Sequence, residues 1–155
     1  MVIKQQTLMN KEYLAEYSLF PKNYNYDEIT NFLKLAEMLH IVPILGTELY
    51  EELLDQVNKN EVTPENATLL LKIYPFLGAA VFEVAVPAVA IHVSEVGLTL
   101  GKSDNSESAS IEHINYLTNY IKSSMVPLKQ QLVDFLNEHS DLYPLYKKPT
   151  NVCSD

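Results

Sequence analysis

The stretch 73–93, IYPFLGAAVFEVAVPAVAIHV, decides the fold that we predict for this chain of 155 residues. It is almost entirely apolar, and Glu83 is its only formal charge. In a helix of this sequence the apolar side chains point in every direction, whereas a surface helix keeps one polar side. The sequence therefore predicts a central helix that other helices cover on nearly all sides.

A membrane-spanning helix is the alternative interpretation of this stretch, because about twenty apolar residues can cross a bilayer. The central Glu83, the prolines Pro75 and Pro87, and the absence of a Lys/Arg excess on one flank argue against insertion. We therefore expect no membrane partner. We also expect a bend at Pro87, since a proline inside a helix removes a backbone hydrogen bond.

Helical periodicity on both sides of this stretch predicts an all-α fold, a small bundle of about five helices. Thr63, Pro64 and Glu65 are typical of a helix start, as N-cap, first-turn proline and first-turn acid. Before the central helix we predict a short helix at 11–17, a helix from Asp27 to about Leu39 with Leu39 in its apolar set, and a helix from near Thr47. A turn around Pro43 and Gly46 separates the last two. After the central helix we predict a last helix from Ser108 or Ser110 to about His139, bent at Pro127.

We interpret residues 1–155 as a single domain with an extended arm (1–26), a helical body (27–140) and an extended tail (141–155). The long polar interruption at 94–110 contains an alternating Val96, Leu98 and Leu100 and predicts a loop or short hairpin that contacts a partner. The predicted partner contacts are Phe20 and Tyr24 in the arm, Leu98 and Leu100 in the loop, and Tyr143 and Tyr146 in the tail.

Charge and cysteine content exclude several classes of protein. Eleven basic against twenty acidic residues give a net charge of -9, which disfavours a grip on nucleic acid or a polybasic membrane anchor. The single Cys153 has no intrachain partner, which suits a reducing compartment. The N-terminal residues lack the apolar core of a secretory signal, so we expect a chain made and kept in the cytoplasm.

No motif predicts a catalytic, cofactor or metal site. Glu37 and His40 form a Glu-x-x-His pair, but a di-iron bundle needs that pair twice. The segment 97–103, GLTLGKS, has three residues between its glycines where a phosphate-binding loop has four. We therefore predict no enzyme, no cofactor and no small-molecule substrate; a metal-dependent helical enzyme using Glu37, His40 and Glu83 is a weaker alternative.

Glu83 is the residue that most needs a partner. A carboxylate inside an apolar helix costs several kcal/mol unless it is paired. We predict that it pairs within the subunit, with Lys72 or Lys34, and keep a functional role as the alternative.

The run 19–55, LFPKNYNYDEITNFLKLAEMLHIVPILGTELYEELLD, resembles head-to-tail connector and adaptor-like proteins found beside the portal in tailed phages of Bacteroidetes, including crAss-like phages. The resemblance lies in the extended segment, the Ala36–Glu37 pair and the I-x-P-x-L-G-x-x-L-Y-x-x-L corner at 41–53. The apolar helix, the SDNSESAS segment at 103–110 and DLYPLY at 141–146 follow in similar order, so the resemblance covers about residues 19–146.

This resemblance implies a structural virion protein at the head–tail junction, a neck subunit that forms a dodecameric ring with copies of itself. Its implied partners are the portal and other neck or tail proteins, with DNA passing through without specific binding. It implies no catalytic residues. A cytoplasmic helical module that binds another protein is the alternative function.

Overall fold

The computed structural model describes residues 7–18, 24–95 and 111–148. Within these ranges every regular element is helical, which confirms the predicted all-α bundle with a buried apolar central helix. The elements are α1 (Lys11–Tyr17), two 3₁₀ turns (Tyr26–Glu28 and Thr30–Phe32), α2 (Leu33–Ala36), a π-helical turn (Glu37–Ile41), α3 (Val42–Leu45), α4 (Thr47–Lys59), α5 (Pro64–Glu95), α6 (Ile111–Glu138) and a last 3₁₀ turn (Ser140–Leu142).

The central helix is α5, which runs for 32 residues through both Pro75 and Pro87. It begins as predicted, because the hydroxyl of Thr63 accepts a hydrogen bond from the backbone N–H of Asn66 at 3.2 Å. By length and composition alone, Pro64–Val89 is apolar enough to cross a membrane, yet 72% of this window is buried inside the protein. Such burial is what the predicted central helix requires.

The core forms where the other helices cover α5. Helix α6 packs along it and continues through Pro127 to Glu138. Helix α4 contributes Leu49, Tyr50 and Leu53 to the core and leaves its acidic side in solvent. The buried side chains of all these elements form one continuous cluster, so the central helix organises the bundle as predicted.

The corner before α4 differs from the prediction. Helical geometry continues through Pro43 to Leu45, and the chain turns only at Gly46, where φ is +79°. The π-helical turn precedes this proline, and the N–H of Val42 there reaches back five residues to the carbonyl of Glu37. The predicted helix end before Pro43 is therefore wrong, because a π-helical register and not a turn accommodates the proline.

The segment before that corner also differs. The predicted helix from Asp27 is two 3₁₀ turns, and regular helix begins only at Leu33. Leu39, predicted on the core side, is 55% exposed. Leu33 and Ala36 of the predicted apolar set are buried, but Glu37 and Ile41 are buried in place of Leu39, since the wider π turn changes which side chains face the core.

The N-terminal segment corrects the interpretation of residues 1–26 as an arm outside the core. Helix α1 forms at the predicted residues, and the side chain of Asn10 caps it by accepting from the N–H of Tyr13 at 2.8 Å. Leu8, Met9 and Leu14 are almost completely buried. Residues 7–18 thus belong to the packed core, because these three apolar side chains fill it.

Candidate functional site

Glu37 is a fully buried carboxylate that holds the N-terminal segment. Its Oε1 atom accepts hydrogen bonds from the backbone N–H groups of Leu8 and Met9, the second at 3.3 Å. Its Oε2 atom accepts from the hydroxyl of Tyr50 at 2.9 Å. The exposed fraction of Glu37 is 0%. One side chain therefore joins three parts of the chain: residues 8–9, the π-helical turn and α4.

Burial raises the pKa of Glu37 from its ordinary 4.5 to about 7. The hydrogen bonds from Tyr50, Leu8 and Met9 and the charge of Lys34 oppose this rise, but the loss of hydration outweighs them. Burial, with the neighbouring Glu37 carboxylate, also raises the pKa of the Tyr50 phenol. Glu37 therefore titrates near neutral pH, whereas the Tyr50 phenol keeps its proton there.

Tyr74 and Gly78 on α5 complete the surface against which the N-terminal segment packs. The hydroxyl of Tyr74 donates to the carbonyl of Leu8 at 3.2 Å, and its ring stacks on Tyr13 with centroids 5.1 Å apart. A Cβ atom on Gly78 would lie 2.5 Å from the carbonyl oxygen of Tyr17. The absence of a side chain at Gly78 is thus what lets α1 approach the central helix.

Glu83 pairs with His40, not with Lys72 or Lys34 as predicted. His40 Nε2 and Glu83 Oε2 lie 3.0 Å apart, and both side chains are about a quarter exposed. Lys34 instead donates to the hydroxyl of Tyr50 at 3.1 Å, and Lys72 lies over the ring of Phe135. The prediction of a partner inside the subunit is confirmed, but the predicted partners were wrong, because the fold places His40 beside Glu83 while Lys34 and Lys72 contact other side chains.

The metal-site alternative requires Glu37, His40 and Glu83 to act together. Among the described residues, no group of three His, Cys, Asp or Glu side chains is placed to hold a metal ion. Both carboxylate oxygens of Glu37 already accept hydrogen bonds from Leu8, Met9 and Tyr50. Glu37 is therefore placed for a structural role, in which its hydrogen bonds hold the N-terminal segment.

A cleft of about 210 Å³ opens beside His40, between the 33–45 segment, α5 and α6. Its walls are mainly apolar, and His40 and Lys129 are the ionisable side chains among its lining residues apart from the phenol of Tyr146. The lining residues are Leu39, His40, Pro43, Ile44, Phe76, Lys129, Val133 and Tyr146. Such a cleft suits an apolar side chain accompanied by a carboxylate.

Two groups of exposed apolar side chains lie on the described surface. The first, which we call the α2 face, comprises Leu35, Met38 and Leu39, each about half exposed at three- and four-residue spacing. Leu39 also lines the cleft, so the face and the cleft are continuous. The second, the α6 face, comprises Tyr116, Leu117 and Tyr120, with exposed fractions of 75%, 44% and 58%.

The two faces point in different directions. Tyr120 and the cleft residue Lys129 are nine residues apart on α6, which is about two and a half helical turns. Their side chains therefore leave opposite sides of this helix, about 13 Å apart along its axis. The subunit thus presents two separate apolar surfaces.

The predicted partner-contact residues differ in how far the structure buries them. Tyr143 and Tyr146 are buried, and their hydroxyls donate to the carbonyl of Glu65 at 2.6 Å and to Asn137 at 2.9 Å. Their rings belong to the subunit's own core, which leaves little of either ring for a partner. Tyr24 is partly exposed, whereas Phe20, Leu98 and Leu100 lie outside the described residues.

Sequence reasoning missed the role of Glu37, although the sequence contains a signal. Glu37 is four residues after Leu33 and four before Ile41, so it occupies the apolar side of its own helix. An acid at such a position predicts a buried partner set. The α2 face was also missed, because Leu35 and Met38 lie outside the single apolar stripe that the periodicity suggested.

The fold and the hydrogen bonds of Glu37 define the chain as a small all-α protein built on a buried central helix. A family model matches residues 41–155, and the chain belongs to this family, DUF6712, a family of unknown function. Residues Tyr50, Tyr74 and Glu83 lie within the match, whereas Glu37 and His40 precede it. No curated protein matches the chain, and no solved structure does.

Proposed function

We propose that this protein is a head-to-tail connector subunit, an adaptor that forms a ring between the portal and the tail of a tailed phage. The observation that carries the proposal is the pair of apolar surfaces, the α2 face and the α6 face. A ring of identical subunits joins one surface of each copy to a different surface of the next. Two separate surfaces that point in different directions meet that requirement.

Exposed apolar side chains in contiguous groups usually mark interaction sites. The α2 face has half-exposed leucines and a methionine on a helix whose other side is in the core. The α6 face has two tyrosines, which are enriched at protein interfaces because each combines a large apolar ring with a polar tip. Both faces thus have the composition of contact surfaces.

The sequence resemblance to phage connector proteins over residues 19–146 supplies the specific assembly. It supports a dodecameric ring at the head–tail junction, with the portal and other neck or tail proteins as partners. The net charge of -9 agrees with a channel that lets DNA pass without holding its phosphates. On this proposal the protein is structural and acts without substrate or cofactor.

Electron microscopy of the purified protein, alone and mixed with the portal protein encoded beside it, tests the proposal. We expect rings of this protein seated coaxially on the portal. The double variant Tyr116→Ser/Tyr120→Ser is expected to lose the rings, whereas Leu142→Ser, at another half-exposed position, keeps them. The proposal is contradicted if the protein stays monomeric at high concentration even with the portal present.

The alternative function, a monomeric module that binds another protein, is favoured by the cleft beside His40. Light scattering coupled to size-exclusion chromatography separates the two functions. A module of this kind remains a monomer, whereas a connector subunit forms a closed oligomer alone or on the portal.

A further inference from the structure

The cleft beside His40 has room for one large side chain. Its volume is about 210 Å³, which is below the range of roughly 300–1,000 Å³ that is usual for small-molecule pockets. None of the described lining residues is acidic, and the exposed Lys129 makes no ion pair with any described residue. The cleft therefore suits a single aromatic side chain with a carboxylate beside it.

The first half of α6 carries this combination. Glu112, Tyr116 and Tyr120 follow one another at four-residue spacing, so their side chains form one stripe along the helix. All three are exposed, and Glu112 makes no ion pair with another described residue. These three residues, which we call the α6 stripe, thus present two aromatic rings and a carboxylate on one side of the helix.

The α6 stripe does not reach the cleft of its own subunit. Lys129 lies at the cleft on the same continuous helix, nine residues after Tyr120 and thirteen after Tyr116. These separations are about 13 Å and about 20 Å along the helix axis, and Tyr120 and Lys129 leave opposite sides of it. A tyrosine side chain is much shorter than either separation. Any α6 stripe that fills this cleft therefore belongs to another molecule.

Charge favours contact between copies through the cleft and the stripe. Two copies with a net charge of -9 repel each other, so they associate only where the local charges are opposite or absent. The α2 face carries no charge, and Lys129 and Glu112 have opposite charges. The outward side of α4 is excluded as a contact between copies because it exposes four acids, Glu48, Glu51, Glu52 and Asp55.

We propose that the cleft of one subunit binds the α6 stripe of a second copy of this chain. Tyr116 fills the cleft, Glu112 pairs with Lys129, and Tyr120 packs on Leu39 at the edge of the α2 face. The inference rests on the ring proposed above and names its contact. Each subunit uses its cleft towards one neighbour and its stripe towards the other, which is the heterologous contact that a ring requires.

Charge reversal in the full chain tests the proposed pair. Glu112→Lys and Lys129→Glu each place two like charges at the contact, so each is expected to weaken self-association at least about tenfold in analytical ultracentrifugation. The two changes combined in one chain restore opposite charges and are expected to return association to the wild-type level. The matched controls Glu51→Lys and Lys59→Glu, at exposed positions on α4, associate like the wild type.

Mixing two further variants tests whether the contact joins two different surfaces. The stripe variant is Tyr116→Ser/Tyr120→Ser, and the cleft variant is Leu39→Asp/Lys129→Glu. All four positions are exposed, so the core stays intact, which circular dichroism checks. Neither variant is expected to associate alone. A mixture has one intact cleft and one intact stripe for each pair of chains, so it forms heterodimers and nothing larger.

Three outcomes overturn the inference. If the wild type forms rings and both single charge reversals form equally stable ones, the contact is wrong and the ring itself stands. If the combined reversal fails to restore association, or no heterodimer appears on mixing, the stripe does not meet the cleft and another surface or another protein fills it. If the wild type is monomeric both alone and with the portal, the proposed function fails and this contact fails with it.

Discussion

The hydroxyl of Tyr50 donates a hydrogen bond of 2.9 Å to Oε2 of Glu37, and neither group reaches solvent. The same carboxylate accepts two backbone N–H groups of the N-terminal segment. A charge in this position is satisfied by its donors but remains costly, because burial removes its hydration. The protonation of Glu37 is therefore linked to the stability of the whole bundle.

Stability is expected to fall as pH rises from about 4.5 to about 7.5. Glu37 has a pKa of about 7 in the folded protein and titrates near 4.5 when exposed, so the folded form holds the proton more tightly. The stability it contributes is complete below about 4.5 and is lost as pH rises through 7. This loss is on the order of 3 kcal/mol, measurable by urea unfolding followed by circular dichroism across this range.

The variant Glu37→Gln removes the titrating group while its amide keeps an acceptor for the two N–H groups. We expect its free energy of unfolding to be nearly independent of pH between about 5 and 7.5 in comparison with the wild type. The control Glu51→Gln, an exposed acid on α4, keeps the slope. A Glu37→Gln profile as steep as that of the wild type would falsify the assignment.

A methyl group at Gly78 tests the docking of α1. In an isolated helix, Gly→Ala is stabilising by about 1 kcal/mol. Here the new Cβ meets the carbonyl oxygen of Tyr17 at 2.5 Å, so α1 has to move. We expect Gly78→Ala to destabilise the protein by about 1–3 kcal/mol in thermal or urea unfolding. The sign is decisive, since a gain in stability means that α1 does not lie against Gly78.

Local signals explain which parts of this fold the sequence predicts. The cap at Thr63 and the apolar composition of 73–93 act through neighbouring residues, and the elements they predict are present. The burial of Leu8 and the partner of Glu83 depend on contacts between residues far apart in the chain. Periodicity cannot report such contacts, so the packing of the N-terminal segment and the pairing of His40 with Glu83 appear only in the folded protein.

Pro43 illustrates the same limit from the backbone side. A proline usually ends a helix, and the prediction of a turn followed from that rule. The π-helical turn before it changes the hydrogen-bond register, and its effect on burial turns Leu39 into a surface residue beside the cleft. A candidate contact surface was thus missed because one local rule was overridden by packing.

His40 and Glu83 are expected to be energetically coupled. We predict that a double-mutant cycle with His40→Ala and Glu83→Gln gives a coupling free energy of about 0.5–1 kcal/mol. This value is smaller than that of a buried ion pair, because both side chains are partly exposed. Unfolding of the four proteins in urea gives this number. The matched cycle with Lys34→Met and Glu83→Gln is expected to be additive, and coupling there would restore the sequence-based pairing.

The docking of the tail depends on the hydroxyl of Tyr143, which donates to the carbonyl of Glu65 at 2.6 Å. Glu65 is in the first turn of α5, so this bond ties the end of the described chain to the start of the central helix. The ring of Tyr143 is 2% exposed and packs near Phe135, which the phenylalanine variant preserves. Removing the hydroxyl alone therefore removes one hydrogen bond without creating a cavity.

We expect Tyr143→Phe to reduce the free energy of unfolding by about 1 kcal/mol and to increase amide hydrogen exchange in residues 140–148 more than elsewhere. The control Tyr116→Phe removes a hydroxyl from a side chain that is 75% exposed, and its unfolding should match the wild type. Equal effects of the two variants would mean that the tail is not held through Tyr143. A local rise in exchange confined to the tail distinguishes this bond from a general loss of stability, because the bond joins only that segment to α5.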